Sequence, residues 1–442
     1  MIDTGQLKKQ ILTSSFESLP NYLYEPLGNH VIFERGITFP ASEKKAIREI
    51  GTIPCIRTAN IQENLDISDL IYVSERFVKN NKKLIRSDDI FISMANSREL
   101  VGKSCMVSEN TEQMTFGGFV TVARSIDVHQ RYLYFYLKYL FISSKMLSIA
   151  SQTTNIANIS SKSLQSLSIP LPPLEEQKRI VAKIEELFAK IDEIDKAQKE
   201  LKELAELAEK KVLDMAVRGE LVEQDETDQS AEQFISNVKD KIDVAVSKKV
   251  IRKKAVTPML DADIPYDTPG NWCWEKIGAL FAINPKNVGI SDNDIVGFVP
   301  MTLMDAGISN HHEYEEKPWK EIKKGFTALQ NGDLAIAKIT PCFQNRKSGV
   351  IQNLPNGVGG GTTEFHVLRD ISHTFDMRYA LALVQTQEFI DYGVSHFSGA
   401  VGQQRVSKEA LADYPFPVPP FEEQQRIGEK IEEYLSLIKT MI

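Results

Sequence analysis

A sixteen-residue segment occurs twice in this chain, and that repeat restricts the fold more than any other feature. It reads PPLEEQKRIVAKIEEL from Pro172 and PPFEEQQRIGEKIEEY from Pro419, without a gap, at an offset of 247 residues. Eleven of the sixteen positions are identical. They include the EEQ triplet and Arg179/Arg426, polar identities that two unrelated amphipathic helices would not share. A fainter match, KQIL at 9–12 with KKVL at 210–213, has an offset of 201. The two offsets sum to 448, close to the length of 442 residues, so the repeat closes on itself. A helix at 7–16 and the one starting at Pro419 would together equal one long central helix.

Pro172 and Pro173 open that central helix, where a missing N–H costs nothing. Glu175 and Glu176 then favour the positive end of the helix dipole. Apolar residues follow at steps of three and four: Ile180, Ile184, Leu187, Ile191, Ile194, Leu201, Ala205, Ala208, Val212 and Met215, with only Gln198 interrupting. The helix is expected to end at Gly219. The copy starting at Pro419 repeats the seam with Ile427, Ile431, Tyr434 and Ile438. A seam of this kind requires a partner helix. The same chain supplies one, so an antiparallel pair is predicted; a coiled coil that only dimerises the protein is the alternative. The central helix would span roughly 70 Å at 1.5 Å per residue, about two turns of B-DNA at roughly 34 Å each.

Residues 17–171 and 264–418 read as two mixed α and β modules on a shared framework. Ser87-Asp88-Asp89-Ile90-Phe91-Ile92 aligns with Asn331-Gly332-Asp333-Leu334-Ala335-Ile336, each a turn followed by a strand. Lys103-Ser104 falls opposite Lys347-Ser348, and Ile159-Ser160 opposite Val406-Ser407. The aromatic cluster Tyr132, Tyr134, Phe135, Tyr136 and Tyr139 resembles a base-stacking platform. The matching stretch of the second module is YALALV, however, so a core helix is the better reading. The net charge of -8 does not exclude nucleic acid, because much of the acid lies on the two repeat helices. Local basic runs remain at 79–86 (KNNKKLIR) and 248–254 (KKVIRKK), each of which alone also reads as a solvated loop.

Reading base edges takes paired donors and acceptors on exposed loops. In the first module the candidates are Arg57, Thr58, Asn60, Lys79, Lys82, Lys83, Arg98, Thr154 and Asn155. In the second they are Lys338, Thr340, Gln344, Asn345, Arg346, Lys347, Thr362, Thr363, Gln404 and Arg405. Any one of them alone also reads as part of a solvated turn; their recurrence at matched places supports the set.

Catalytic signatures are missing from the sequence. There is no phosphate-binding G-x-x-x-x-G-K-[ST] loop and no Asp/Asn-Pro-Pro-aromatic motif of amino-methyltransferases. His311-His312 lacks the spacing of a helical metal site, and Glu43-Lys44-Lys45 is a chance match to acidic nuclease motifs. Cys55, Cys105, Cys273 and Cys342 form no CxxC pair, which suits a reducing cytoplasm and argues against structural zinc. The longest apolar run, around 133–142, is too short to span a bilayer, and no secretory signal pattern begins the chain.

These motifs together resemble the specificity subunits of Type I restriction-modification systems. PLPPLEEQKRIVAKIEELFAKID and PFPVPPFEEQQRIGEKIEEYL are similar to the two conserved regions of that family. IPCIRTANIQ, GDLAIAKITPCFQNRKSG and GGGTTEFHVL resemble its target-recognition domains, and GAVGQQRVSKEALADYPFPVPP the approach to a conserved helix. The resemblance implies an α+β chain with two target-recognition domains separated by two long antiparallel helices in a circular pseudo-twofold repeat. The expected segments are an N-terminal helix at 1–16, a first recognition domain at 17–171 and a spacer helix at 172–219. A linker at 220–263, a second recognition domain at 264–418 and a C-terminal helix at 419–442 complete the chain. It further implies a cytoplasmic, non-catalytic subunit that holds no cofactor and binds double-stranded DNA. Its partners would be two methyltransferase subunits and, for cleavage, restriction subunits. S-adenosylmethionine, ATP and magnesium would belong to those partners. The motif residues Pro172, Pro173, Glu175, Glu176, Gln177, Pro419, Pro420, Glu422, Glu423 and Gln424 would serve helix geometry and subunit docking.

Overall fold

The computed structural model describes residues 2–19, 22–107, 113–152, 156–251, 256–287, 289–400 and 402–441. Six helices organise the chain: α1 (Thr4–Glu17), α2 (Gln130–Ile142), α3 (Leu174–Arg218), α4 (Ala231–Ser247), α5 (Met377–Gln385) and α6 (Phe421–Met441). The chain divides into two compact units, Met1–Lys199 and Glu200–Ile442. The 45-residue α3 crosses that division. It ends where the sequence places its stop, at Gly219 with φ 73°, a left-handed conformation that favours glycine.

Each unit has a four-stranded antiparallel sheet at its centre. In the first the order is Val31–Arg35, Val120–Ser125, Ile90–Ser93, Ser104–Met106; in the second it is Ala282–Ile283, Phe365–Arg369, Leu334–Ala337, Ser348–Val350. The central strands are apolar without alternation because both faces are covered. Ile90 and Ile92 face the core that holds α2, while Phe91 faces a second core with Ile56 and Phe116. Leu334 and Ile336 divide from Ala335 and Ala337 in the same manner. A further sheet closes that second core, three-stranded in the first unit and four-stranded in the second, and in each it contains one parallel pair, Thr52–Ile56 with Thr115–Phe116 and Ile295–Val299 with Val358–Gly361.

The turn that leads into each central strand needs a positive φ, supplied by Asp88 (64°) in one copy and Gly332 (90°) in the other. The next residue, Asp89 or Asp333, is buried. Its carboxylate accepts a backbone N–H, from Arg86 at 2.9 Å or from Gln330 at 2.7 Å. It also takes two bonds from one guanidinium, Arg124 at 2.7 and 2.6 Å or Arg369 at 2.7 and 2.7 Å. This arrangement is a duplicated fastening that the alignment alone did not reveal.

The helices follow the circular pattern. In the first unit α1 runs antiparallel to the beginning of α3: the Ile2 backbone bonds Gln198, Thr4 bonds Asp195 and Lys8 pairs with Asp192. In the second, α6 does the same with the end of α3. Lys439 lies beside Glu209, while Ile427 and Ile431 join Leu213, Val217 and Leu221 in one core. The faint KQIL/KKVL match has a structural meaning: Leu12 and Leu213 are both buried against their own module. The seam is less even than its periodicity. Ile184, Ile191 and Ala205 are buried, but Ile194 is exposed, and Val181, Ala216 and Val217 are deeper than their neighbours because they also meet the modules.

The segment expected as a linker, 220–263, carries α4. Its apolar face (Phe234, Ile235, Val238, Ile242) packs into the core of the second unit that holds α5, Leu334 and Ile336, and Ser230 caps its start. The aromatic cluster on α2 is core, as its counterpart implied: Tyr132, Phe135, Tyr136 and Tyr139 are all buried.

Candidate nucleic-acid interface

Three segments of the second module converge at one end of the central sheet. Lys338 N–H donates to the Glu364 carbonyl (2.9 Å), Val406 N–H to the Lys338 carbonyl (2.9 Å) and Thr340 N–H to the Gln404 carbonyl (3.0 Å). These bonds gather Lys338, Thr340, Gln344, Thr362, Thr363, Gln404 and Arg405 on one surface. Thr340 Oγ1 donates to Gln344 Oε1, and the Thr362 hydroxyl accepts from Glu364 N–H at 3.3 Å. Arg405 lies across Glu364, with Nε and Nη2 bonded to the two carboxylate oxygens at 2.8 and 2.9 Å. That guanidinium holds the Glu364 carboxyl below the usual carboxylate range. Glu364 was absent from the candidates because nothing local marks it; its partner is 41 residues away.

The first module has the same lacing. Met94 N–H donates to the Phe119 carbonyl and Ile159 N–H to the Met94 carbonyl. Phe119 and Asn158 therefore occupy the places of Glu364 and Arg405, and Phe119 is exposed. The frame is common and the presented side chains differ. Thr154 and Asn155 lie outside the described residues.

Other candidates are committed elsewhere. Asn60 is a correction: it is 2% exposed, its amide donates to the Asp66 and Asp69 carbonyls, and it shapes its own loop from inside. Arg57 donates to the carbonyl and carboxylate of Asp69, while Thr58 sits half-buried beside it. Lys83 pairs with Glu34. Arg346 bonds the Gln385 carbonyl (2.9 Å) and Gln387, and Lys347 bonds the carbonyls of Met301 and Met304, both at 2.9 Å. Arg346 and Lys347 thus tie a loop down and do not project with Gln344 and Asn345. Lys79, Lys82, Arg98, Gln344, Asn345 and Thr363 are exposed.

At the helix starts, the repeated glutamine does the same work twice. Gln177 accepts from His129 N–H (2.8 Å) and donates to the Pro172 carbonyl (2.9 Å); Gln424 accepts from Asp376 N–H (3.2 Å) and donates to the Pro419 carbonyl (3.0 Å). Both are buried, so they join each repeat helix to the start of α2 or α5 and offer nothing to a docking partner. Glu423 is fully buried as well, bonded to Trp272 Nε1 at 2.9 Å and to Gln224, and burial raises its pKa. Pro172, Pro419 and Pro420 are buried too. Pro173, Glu175 and Glu422 are exposed and Glu176 is half-buried, so these four remain open to a partner.

His366 lies beneath the converging segments, buried, with Nε2 2.9 Å from the Val406 carbonyl. Burial depresses its pKa from the ordinary value to about 4. In the unfolded chain the imidazole titrates near its ordinary value of about 6.5. Between those values the unfolded state binds more protons, so this contribution is complete above about 6.5 and is lost as pH falls towards about 4. Denaturation of wild type and His366→Gln at pH 7, 5.5 and 4.5 is expected to show a smaller acid loss in the variant. Equal losses would mean that other groups carry the acid sensitivity.

The sequence profile of the Type I restriction modification DNA specificity domain matches residues 32–206 and 292–441. The chain belongs to that family. The specificity subunit of the Type I restriction enzyme EcoAI from Escherichia coli is 37% identical over 227 residues, covering 51% of this chain and 38% of that protein. The corresponding StySPI subunit from Salmonella potsdam is 23% identical over 425 residues, covering 94% and 82%. The EcoAI match thus spans well under half of that relative. Among solved structures, a chain from work on complex assembly and conformational transition of the type I R-M system aligns with a TM-score of 0.60 at 15% identity, covering 95% of this chain and 92% of that one. The HsdS subunit from Thermoanaerobacter tengcongensis aligns with a TM-score of 0.53 at 16% identity, covering 96% and 91%. Both likenesses concern the fold: two mixed α/β domains and long helices. Among the described residues of this family member, no group of acidic, histidine and cysteine side chains could hold a metal ion. No helix among them is long and apolar enough to cross a membrane.

Proposed function

We propose that this chain is the sequence-reading, non-catalytic subunit of a Type I restriction-modification complex acting in the cytoplasm. Each module would read one half of a bipartite site in double-stranded DNA, and the helices would set the gap. Two methyltransferase subunits would dock against the exposed parts of the repeat helices, and restriction subunits would join for cleavage. One observation carries this reading. The two modules share their buried fastenings, Asp89–Arg124 with Asp333–Arg369 and Gln177 with Gln424, yet differ where loops converge. Two half-sites of different sequence call for such a pairing, whereas a scaffold has no need for two differing sets of loop tips on one frame. Phosphate contacts would fix register while loop side chains read base edges. The methyltransferase partner would perform the chemistry on a flipped-out adenine.

The test is single-molecule sequencing for methylated adenine in cells carrying this chain with its cognate methyltransferase. The expected result is a bipartite motif that disappears when this chain is deleted. An unchanged methylome, with an active partner, would leave a protein-binding scaffold as the better reading. A companion experiment inserts four residues after Leu201, where Leu204 and Leu207 are exposed. The helix lengthens by about 6 Å, so the preferred gap is expected to grow while both half-site sequences stay the same. A changed half-site in that variant would contradict the division of labour.

A further inference from the structure

We propose that Arg405 reads a guanine in the half-site of the second module, and that Glu364 is the positioning residue that holds it for that task. The proposal rests on the reading of this chain as a DNA-specificity subunit and assigns one base contact within it.

The argument starts from hydrogen-bond capacity. A guanidinium has five N–H donors. Among the described residues, Arg405 uses three: Nε on Glu364 Oε2 (2.8 Å), Nη2 on Glu364 Oε1 (2.9 Å) and Nη1 on the Gln403 carbonyl (2.9 Å). One N–H is left on each terminal nitrogen. A pair of terminal N–H donors matches the O6 and N7 acceptors that guanine presents in the major groove. Adenine offers N7 but places a donor where guanine has O6, so the same pair rejects it. The side chain is accessible for this contact, at 40% exposure, while its carboxylate partner is more covered at 25%.

Its placement is fixed from below. Ile339 and Arg405 form an antiparallel bridge, and the next residue, Val406, donates to the Lys338 carbonyl. The guanidinium is thus held by a bidentate bond to a residue on the adjoining segment, so little side-chain freedom is lost on binding. Glu364 also decides between base and backbone. It neutralises the guanidinium and would repel a phosphate brought to the same edge, whereas guanine's acceptors are uncharged. In the first module the same two places hold Phe119 and Asn158, which cannot form this device. Arg405 is therefore one of the differences through which the two modules would read different sequences.

The experiment uses the complex of the full chain with its cognate methyltransferase and duplexes carrying the motif found by methylome sequencing. Each base pair of the motif is changed in turn, and binding is measured for wild type, Arg405→Lys, Arg405→Ala and Glu364→Gln. Wild type is expected to lose about 5- to 100-fold when one G·C pair is changed to A·T. Arg405→Ala should flatten discrimination at that pair to within about 3-fold and keep it at every other pair, and Arg405→Lys, which lacks the planar fork that Glu364 holds, should weaken it there. Glu364→Gln should weaken discrimination at the same pair without lowering affinity for unrelated DNA. The lysine variant keeps the charge, so a fold lost in the alanine variant does not decide the matter. Three results would overturn the proposal: unchanged discrimination in both Arg405 variants, a uniform loss across all duplexes with a shallower salt dependence (a phosphate contact), or a second-module half-site without a G·C pair. A wild-type complex with no preference for any duplex would instead overturn the underlying reading as a specificity subunit.

Discussion

Replacing Asp333 with alanine is expected to destabilise the second unit by about 3–5 kcal/mol, the typical cost of leaving one partner of a buried ion pair unopposed. Asp333 has a side chain 1% exposed and Arg369 one 12% exposed, joined by two bonds of 2.7 Å. Burial pushes the Asp333 carboxyl up while Arg369 pulls it down. The intact pair therefore contributes little net stability, because the attraction mainly offsets the cost of drying both charges. Removing one partner changes that balance, since the guanidinium stays buried and, among the described residues, keeps its 3.0 Å bond to Asn287. The Gln330 N–H also loses its acceptor, and with it the turn that starts the central strand. Urea denaturation of wild type, Asp333→Ala and the double variant Asp333→Leu/Arg369→Met checks this. The double variant is expected to recover most of the loss, because an apolar pair needs no compensation. A single variant within about 1 kcal/mol of wild type would show that Arg369 reaches water on its own. The pair Glu175–Lys178 on the surface of α3 is the contrasting case, and its loss is expected to leave the urea midpoint essentially where it is.

Phe16→Ala is the second large effect, expected at about 3–5 kcal/mol for truncating a buried phenylalanine. Phe16 sits near the end of α1 at 2% exposure. Its ring meets Tyr132 and Tyr136 edge-on, with centroids 5.5 and 5.2 Å away, and stacks on Tyr139 at 5.5 Å. Leu12, one turn earlier, is the other buried side chain of α1. Beyond these two, half-buried Ile11 touches the same core, and the start of the helix is held by polar contacts to α3, which are individually weak. Loss of the ring should therefore release α1 as well as open a cavity. Hydrogen exchange is the direct readout: the α1 amides should lose protection in Phe16→Ala and largely keep it in Phe16→Leu. Retained protection in the alanine variant would place the anchoring of α1 on the α3 contacts.

Several parts of this architecture could be read from residues alone, and for identifiable reasons. Proline opens α3, Gly219 closes it and the apolar period runs between them, all signals within a few residues of the feature they mark. The circular repeat was visible because identity at polar positions survives when apolar positions drift. The sequence also suggested that 220–263 was a linker, and there it misled. The α4 pattern is short, and its apolar face acquires meaning only against the core that holds α5. The copies also differ at the start of the repeat helix. Glu423 is sealed in beside Gln224 and Trp272, whereas Glu176 stays half-exposed at the equivalent place.

The interface residues divide along a similar line. Polar loop composition pointed to the convergent surface of the second module, and most of the candidates there are on it. It could not separate Asn60, locked inside its turn, from Asn345, exposed at a tip, because both are asparagines in polar stretches. Nor could it distinguish Lys347, bound to carbonyls 43 and 46 residues away, from the exposed Lys82.

By itself, then, the sequence determined the duplication, the start and stop of the central helix, the two-module plan and the family to which the chain belongs. These are properties of local periodicity, of proline and glycine stereochemistry and of repeated identity. Only the tertiary structure decided which polar side chains are fastenings and which are presented. That choice depends on hydrogen-bond partners such as Glu364 for Arg405, brought together by the sheet across 41 residues of chain. No local pattern encodes a partner at that distance.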